Sequence, residues 1–218
     1  MPTKSIIIKV SAAIGKVTGK LTTPAEPSCI ISLAHGAGAG MDHPFMETLA
    51  SKLADENIAV LRFNFPFMEN KKGRPDSPAV AHETIKAAIA RAHELLPQLP
   101  LFVAGKSFGG RMTSQYLSLH ADSSVKGIIF FGFPLHQPGK PSIERAEHLK
   151  QVKVPMLFLQ GTRDALANWE MIEAVTKSLR KTKLVKLEGA DHSFKAGKKD
   201  IMSILVDATK KWILAAKK

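Results

Sequence analysis

The chain has 218 residues, 44% of them hydrophobic and 23% charged, and a formal net charge of +12. That length suits one well-buried α/β core and is short for two, so a single domain over residues 1–218 is expected. No apolar stretch approaches the roughly 20 residues of a membrane span, no secretory leader is legible at the start, and the single cysteine, Cys29, excludes an internal disulfide.

Those features suit a reducing cytoplasm and no membrane partner. The lysines are dispersed: Lys71 and Lys72 fall in a loop, Lys195, Lys198 and Lys199 near the end, and Lys210, Lys211, Lys217 and Lys218 on the last helix. With no nucleic-acid-binding module beside them, they read as a solvated basic surface. No nucleic-acid partner is expected. The alternative use of that charge is attraction of anionic substrates or partners.

In chain order, Ser5–Val10 and Lys16–Leu21 read as a β-hairpin turning through Ala12-Ala13-Ile14-Gly15. Cys29–Leu33 is a continuous apolar strand that runs into the glycine-rich turn His35–Gly40. A helix over Pro44–Glu56 places Phe45, Leu49 and Leu53 on one side. Strand Ile58–Phe63, a polar loop over Glu69–Ser77 and a helix over Ala79–Leu96, stopped by Pro97, come next. Leu101–Ala104 is a strand and Arg111–Leu119 a helix, followed by strand Val125–Phe131 and a Pro/Gly-rich loop around residues 136–139. A short helix around Ile143–Lys150, strand Pro155–Leu159, helix Asn168–Leu179, strand Leu184–Leu187 and helix Lys199–Ala216 complete the chain. Apolar strands alternating with amphipathic helices specify a mainly parallel sheet of about eight strands, covered by helices on both faces.

Between strand Leu101–Ala104 and its helix lies Gly105-Lys106-Ser107-Phe108-Gly109. A strand, Gly-x-Ser-x-Gly and a helix make a nucleophile elbow, in which a sharp turn lifts a serine hydroxyl clear of the backbone. Gly105 and Gly109 let neighbouring backbone close in on that turn. Serine needs a base to take its proton and a third group to orient the base. In a parallel α/β sheet both belong in loops at the carboxyl ends of later strands. Asp164 follows strand Pro155–Leu159, and His192 follows strand Leu184–Leu187. The chain order Ser107, Asp164, His192 is that of α/β-hydrolase triads. Asp191 and Glu188 also lie near His192, but neighbours in sequence rarely turn side chains toward each other in the required geometry.

An oxyanion formed by serine attack needs preorganised donors. The Phe108 amide is one candidate. The turn His35-Gly36-Ala37-Gly38 offers the second, at Ala37 first and Gly38 next. The same turn carries Gly36, Gly38 and Gly40 in a Gly-x-Gly-x-Gly pattern without a Gly-Lys-Ser/Thr ending, which disfavours a phosphate cradle. His35 reads as shaping the turn, and Arg62, set among apolar strand residues, needs a partner if buried. No clustered His, Cys or Glu set has metal-ligand spacing, so neither a metal nor an organic cofactor is expected.

Across nearly its whole length the chain resembles the α/β-hydrolase superfamily, and most closely the small, lid-free, dienelactone-hydrolase-like branch. Ala34-His35-Gly36-Ala37-Gly38, Arg62-Phe63-Asn64-Phe65-Pro66-Phe67-Met68-Glu69, Gly105–Met112 and Gln160-Gly161-Thr162-Arg163-Asp164 resemble the KANL3/Tex30-like hydrolases in particular. The resemblance implies an eight-stranded sheet and serine-hydrolase chemistry on a small carboxylic ester or thioester. Dienelactone hydrolases proper use a cysteine nucleophile, whereas position 107 is serine. Some KANL3-type members act as scaffolds, so a non-catalytic interaction module is the alternative. With only about twenty residues between Phe131 and Pro155, no cap domain is expected, and the site should be open. Phe67, Met68, Phe108, Phe133, Leu135 and His136 are the candidates to line it.

Overall fold

The computed structural model describes residues 2–216. Strands β1 (Thr3–Ser11), β2 (Gly15–Thr22), β3 (Cys29–Ala34), β4 (Ile58–Phe63), β5 (Leu101–Lys106), β6 (Val125–Phe131), β7 (Met156–Gly161) and β8 (Thr182–Leu187) form one sheet in the order β1-β2-β4-β3-β5-β6-β7-β8. The β1–β2 and β2–β4 pairings are antiparallel, and every pairing from β4 onward is parallel. β3, β4 and β7 are buried along their whole length. That explains why their sequences are unbroken apolar runs instead of alternating ones.

Helices α1 (Pro44–Asp55) and α6 (Ile201–Ala216) bury Leu49, Leu53, Leu205 and Trp212 in a core on one face. Helices α3 (Pro78–Leu95), α4 (Phe108–Leu119) and α5 (Trp169–Ser178) bury Ile85, Met112 and Ile172 in a core on the other. Phe130, Phe133 and Phe158 meet in that second core, with the Phe130 and Phe158 ring centroids 4.3 Å apart. Each such ring contributes about 2–3 kcal/mol through burial. Between β6 and β7 the chain makes only a loop and a 3₁₀ segment, Glu144–Gln151, so nothing caps the carboxyl ends of the strands.

Most element boundaries match the sequence pattern within a few residues. Two differ for identifiable reasons. Helix α4 starts at Phe108, directly after Ser107, because the elbow turns straight into the helix. Pro66 nucleates a further short helix, α2 (Pro66–Glu69), just ahead of the expected loop.

The strand order reverses on either side of β3, so β3 and β5 flank the topological switch point where open α/β sheets bind ligands. The turn after β3 and the elbow after β5 therefore share one crevice. His35 locks the first of these turns in place. Its Nδ1 donates to the Gly36 carbonyl at 2.7 Å, which leaves Nε2 to accept from the Phe65 amide at 3.0 Å. Burial among Phe65 and Phe67 pushes its pKa down to about 4, partly offset by the Gly36 bond.

A Cβ at position 109 would lie 2.5 Å from the His35 carbonyl oxygen and 2.7 Å from that of Ala34, whereas one at Gly38 meets nothing within 4 Å. Gly109→Ala should cost about 3 kcal/mol in urea unfolding, and Gly38→Ala less than about 0.5. Because His35 binds its proton more weakly folded than unfolded, stability is greatest above about pH 6.5 and falls as pH drops toward 4. The His35 contribution to that loss between pH 7.5 and 5 is about 2 kcal/mol. Urea midpoints for the parent chain and for His35→Gln, which keeps an acceptor without titrating, should differ in pH slope accordingly.

Candidate active site

Ser107 occupies the sharp turn between β5 and α4 with φ 49° and ψ −113°. That is strained backbone for a residue with a side chain. The strain is held from two sides. A Cβ on Gly105 would stand 2.1 Å from the Gly110 nitrogen, and one on Gly109 would collide with the β3 tip. The Ser107 amide donates to the Phe131 carbonyl of β6 at 3.2 Å. The hydroxyl is thereby aimed at the loop after β8.

There it meets His192. Ser107 Oγ lies 2.9 Å from His192 Nε2, and His192 Nδ1 lies 2.8 Å from Asp164 Oδ2. The carboxylate is 1% exposed and the imidazole 26%, so the carboxylate is dry while the imidazole remains reachable. Asp164 Oδ2 also accepts from Gln160 Nε2 at 2.7 Å, and Oδ1 accepts from the Leu166 amide at 2.8 Å. Gln160 in turn receives the Phe133 amide at 2.9 Å. The buried acid thus keeps both oxygens hydrogen-bonded. Asn168, not Asp164, caps α5, accepting from the Met171 amide.

Asp191 folds the loop instead of orienting the ring: its Oδ1 accepts the Ser193 and Lys195 amides, both at 2.9 Å. Lys106 ties the same loop to the elbow, donating from Nζ to the His192 carbonyl at 2.6 Å and lying 4.9 Å over the Phe194 ring. Burial pushes the Lys106 pKa down to about 8, against the raising influence of Asp164 and Asp191. The apolar pattern does not single out Lys106 or Gln160. The available signal is a polar side chain near the end of an otherwise apolar strand.

Ala37 and Gly38 lie on the wall of a cavity of about 410 Å³ that also meets Ser107 and His192. Phe108 is the first residue of α4, where a backbone N–H has no acceptor within the helix. Phe45 and Met46 supply an apolar wall.

The expected lining residues are placed differently. Phe67, Phe133 and Leu135 are at most 1% exposed and belong to the core, so none of them faces this cavity. His136 is buried too, with Nε2 accepting the Asn168 amide at 2.8 Å. Met68 borders a separate hollow near Asn64 and His43. Phe108 packs edge-on against Phe65 and Phe67 and borders a second cavity beside Ser107. Arg62 is buried, donates to the Met41 carbonyl at 2.7 Å and lies 3.6 Å from Glu47, which ties it to the β3 turn.

Comparison with known proteins agrees with this architecture. The sequence model of a family described as an alpha/beta hydrolase domain matches residues 27–213. A solved alpha-beta serine hydrolase homologue from Coxiella burnetii is 24% identical, with 95% of this chain and 97% of that one covered and a TM-score of 0.77. A dienelactone hydrolase from Anabaena variabilis is 18% identical, with 99% of both chains covered and a TM-score of 0.77. A lid-free serine hydrolase from Xanthomonas campestris is 19% identical, with 97% and 96% covered and a TM-score of 0.76. Among the described residues no helix is long and apolar enough to cross a membrane. With its uncapped eight-stranded sheet and a family match over most of its length, the chain belongs to the α/β hydrolases.

Proposed function

We propose that the protein is a serine hydrolase that cleaves small carboxylic esters or thioesters through an acyl-enzyme, acting as one catalytic unit. The observation that carries this reading is the continuous line from Ser107 Oγ through His192 to the buried Asp164 carboxylate, with contacts of 2.9 and 2.8 Å.

In this mechanism His192 Nε2 takes the Ser107 proton as Oγ attacks the acyl carbon. The carbonyl π electrons move onto oxygen, and the Ala37 and Phe108 amides hold the resulting oxyanion. Asp164 keeps the imidazole in the Nδ1–H tautomer and offsets its positive charge. Collapse of the oxyanion breaks the bond to the alcohol or thiol, which leaves with the proton carried by His192. Water then gives its proton to His192 and attacks the acyl-serine. A second collapse releases the acid and returns the proton to Ser107. No step requires a metal or an organic cofactor.

Because the leaving atom takes its proton from Nε2, the leaving group lies on the imidazole side, in the cavity walled by Phe45 and Met46. That cavity is open at the rim, which suits short substrates.

A fluorophosphonate probe should label the parent chain and leave Ser107→Ala unmodified. Equal labelling of both would end the assignment, and no labelling of either, with no ester turnover, would favour an interaction module. On a panel of acetate to octanoate esters and matching thioesters, Asp164→Asn should lower kcat by about 10³- to 10⁴-fold. Full activity in that variant would remove Asp164 from the mechanism.

A further inference from the structure

The second cavity, of about 390 Å³, is bordered by Ser107 but, unlike the first, not by His192. Ser107, Ala37 and Leu166 border both cavities, so a single acyl carbonyl can address both. Two arginines converge on the second one. Arg111 follows Ser107 by four positions on α4, which puts it one turn along the same helical face. Arg145 comes from the 3₁₀ segment and donates from Nη1 to the His136 carbonyl at 3.1 Å.

None of the ion pairs among the described residues involves either guanidinium. Asp76 is the carboxylate on this wall, and its Oδ2 already accepts the Phe67 amide at 2.8 Å. Two guanidiniums therefore face one carboxylate. They also feel each other: burial first, and then the Arg145 charge, lower the proton affinity of Arg111. His148, whose Nε2 lies 2.7 Å from Ser114 Oγ, is held well below the ordinary histidine range by burial and by the Arg111 charge. It adds no positive charge at neutral pH.

We propose that this cavity is the acyl pocket and that Arg111 and Arg145 select acyl groups ending in a carboxylate, that is, monoesters or monothioesters of short dicarboxylic acids. The inference rests on the serine-hydrolase reading above. With the leaving group on the His192 side, the acyl chain runs toward the arginines. A guanidinium fork matches a carboxylate in plane and offers two parallel donors. Two of them around one terminal carboxylate would have their like-charge repulsion offset by it. The net charge of +12 gives the surface a field that draws such substrates in.

The test uses matched methyl esters followed by proton release: monomethyl adipate, methyl hexanoate and methyl 6-aminohexanoate. In the parent chain kcat/KM for the adipate monoester should exceed that for the hexanoate by about tenfold or more, mainly through KM. Free adipate should inhibit competitively, and more strongly than hexanoate. Arg145→Met should reduce the adipate-to-hexanoate ratio, and Arg111→Glu should raise kcat/KM for the aminohexanoate ester above that for the adipate monoester, which loss of structure alone would not do. Fluorophosphonate labelling of Ser107 in each variant reports an intact nucleophile. Equal kcat/KM for anionic and neutral esters, with no stronger inhibition by adipate, would overturn the acyl-pocket proposal while leaving the serine-hydrolase reading intact. If the parent chain neither takes the probe nor turns over any ester, both fall.

Discussion

Backbone meets backbone at the elbow, at distances that no side chain tolerates. Gly105 passes against Gly109 and Gly110, and Gly109 presses on the carbonyls of Ala34 and His35. This contact holds Ser107 in its strained conformation and brings the turn after β3 beside it. The position of the Ser107 hydroxyl, and the place of Ala37 and Gly38 on the cavity wall beside it, derive from it. The strain at one residue is offset by the folding energy of the whole sheet.

The line from hydroxyl to carboxylate is built on three parallel strands on one side of the sheet, with β6 between the first and the second. β5 delivers Ser107, β7 delivers Asp164 through the loop at its tip, and β8 delivers His192. The fixed spacing of a parallel sheet sets the reach of each loop. Local hydrogen bonds then set the last ångström: Gln160 and the Leu166 amide on the acid, Asp191 on the turn after the imidazole, and Lys106 on the His192 carbonyl. Lys106 is held there although its burial disfavours the charged form.

The order of strands and helices was legible because buried parallel strands and amphipathic helices leave different periodicities in a sequence. The three residues that meet at the crevice were legible because each follows a strand. The lining was not. Phe67 sits in the short helix α2, and Phe133 and Leu135 in a loop, all near the right strand ends, yet their rings and branches turn inward to complete the core. Sequence gives a loop's position but not the direction of its side chains, and a large apolar group in a loop gains more from burial than from facing water. Arg145 is not legible for a different reason. It lies in a 3₁₀ segment whose path back toward the elbow is set by tertiary packing alone.

β8 is the outermost strand on its side of the sheet, and most of its residues are at least partly open to water. The imidazole hangs from that margin, while the hydroxyl and the carboxylate are rooted in interior strands. Fraying at a sheet border takes far less energy than unravelling the middle. Warming or mild denaturant would then silence turnover while the bulk of the polypeptide kept its shape, making catalysis a finer thermometer than any spectrum of the backbone.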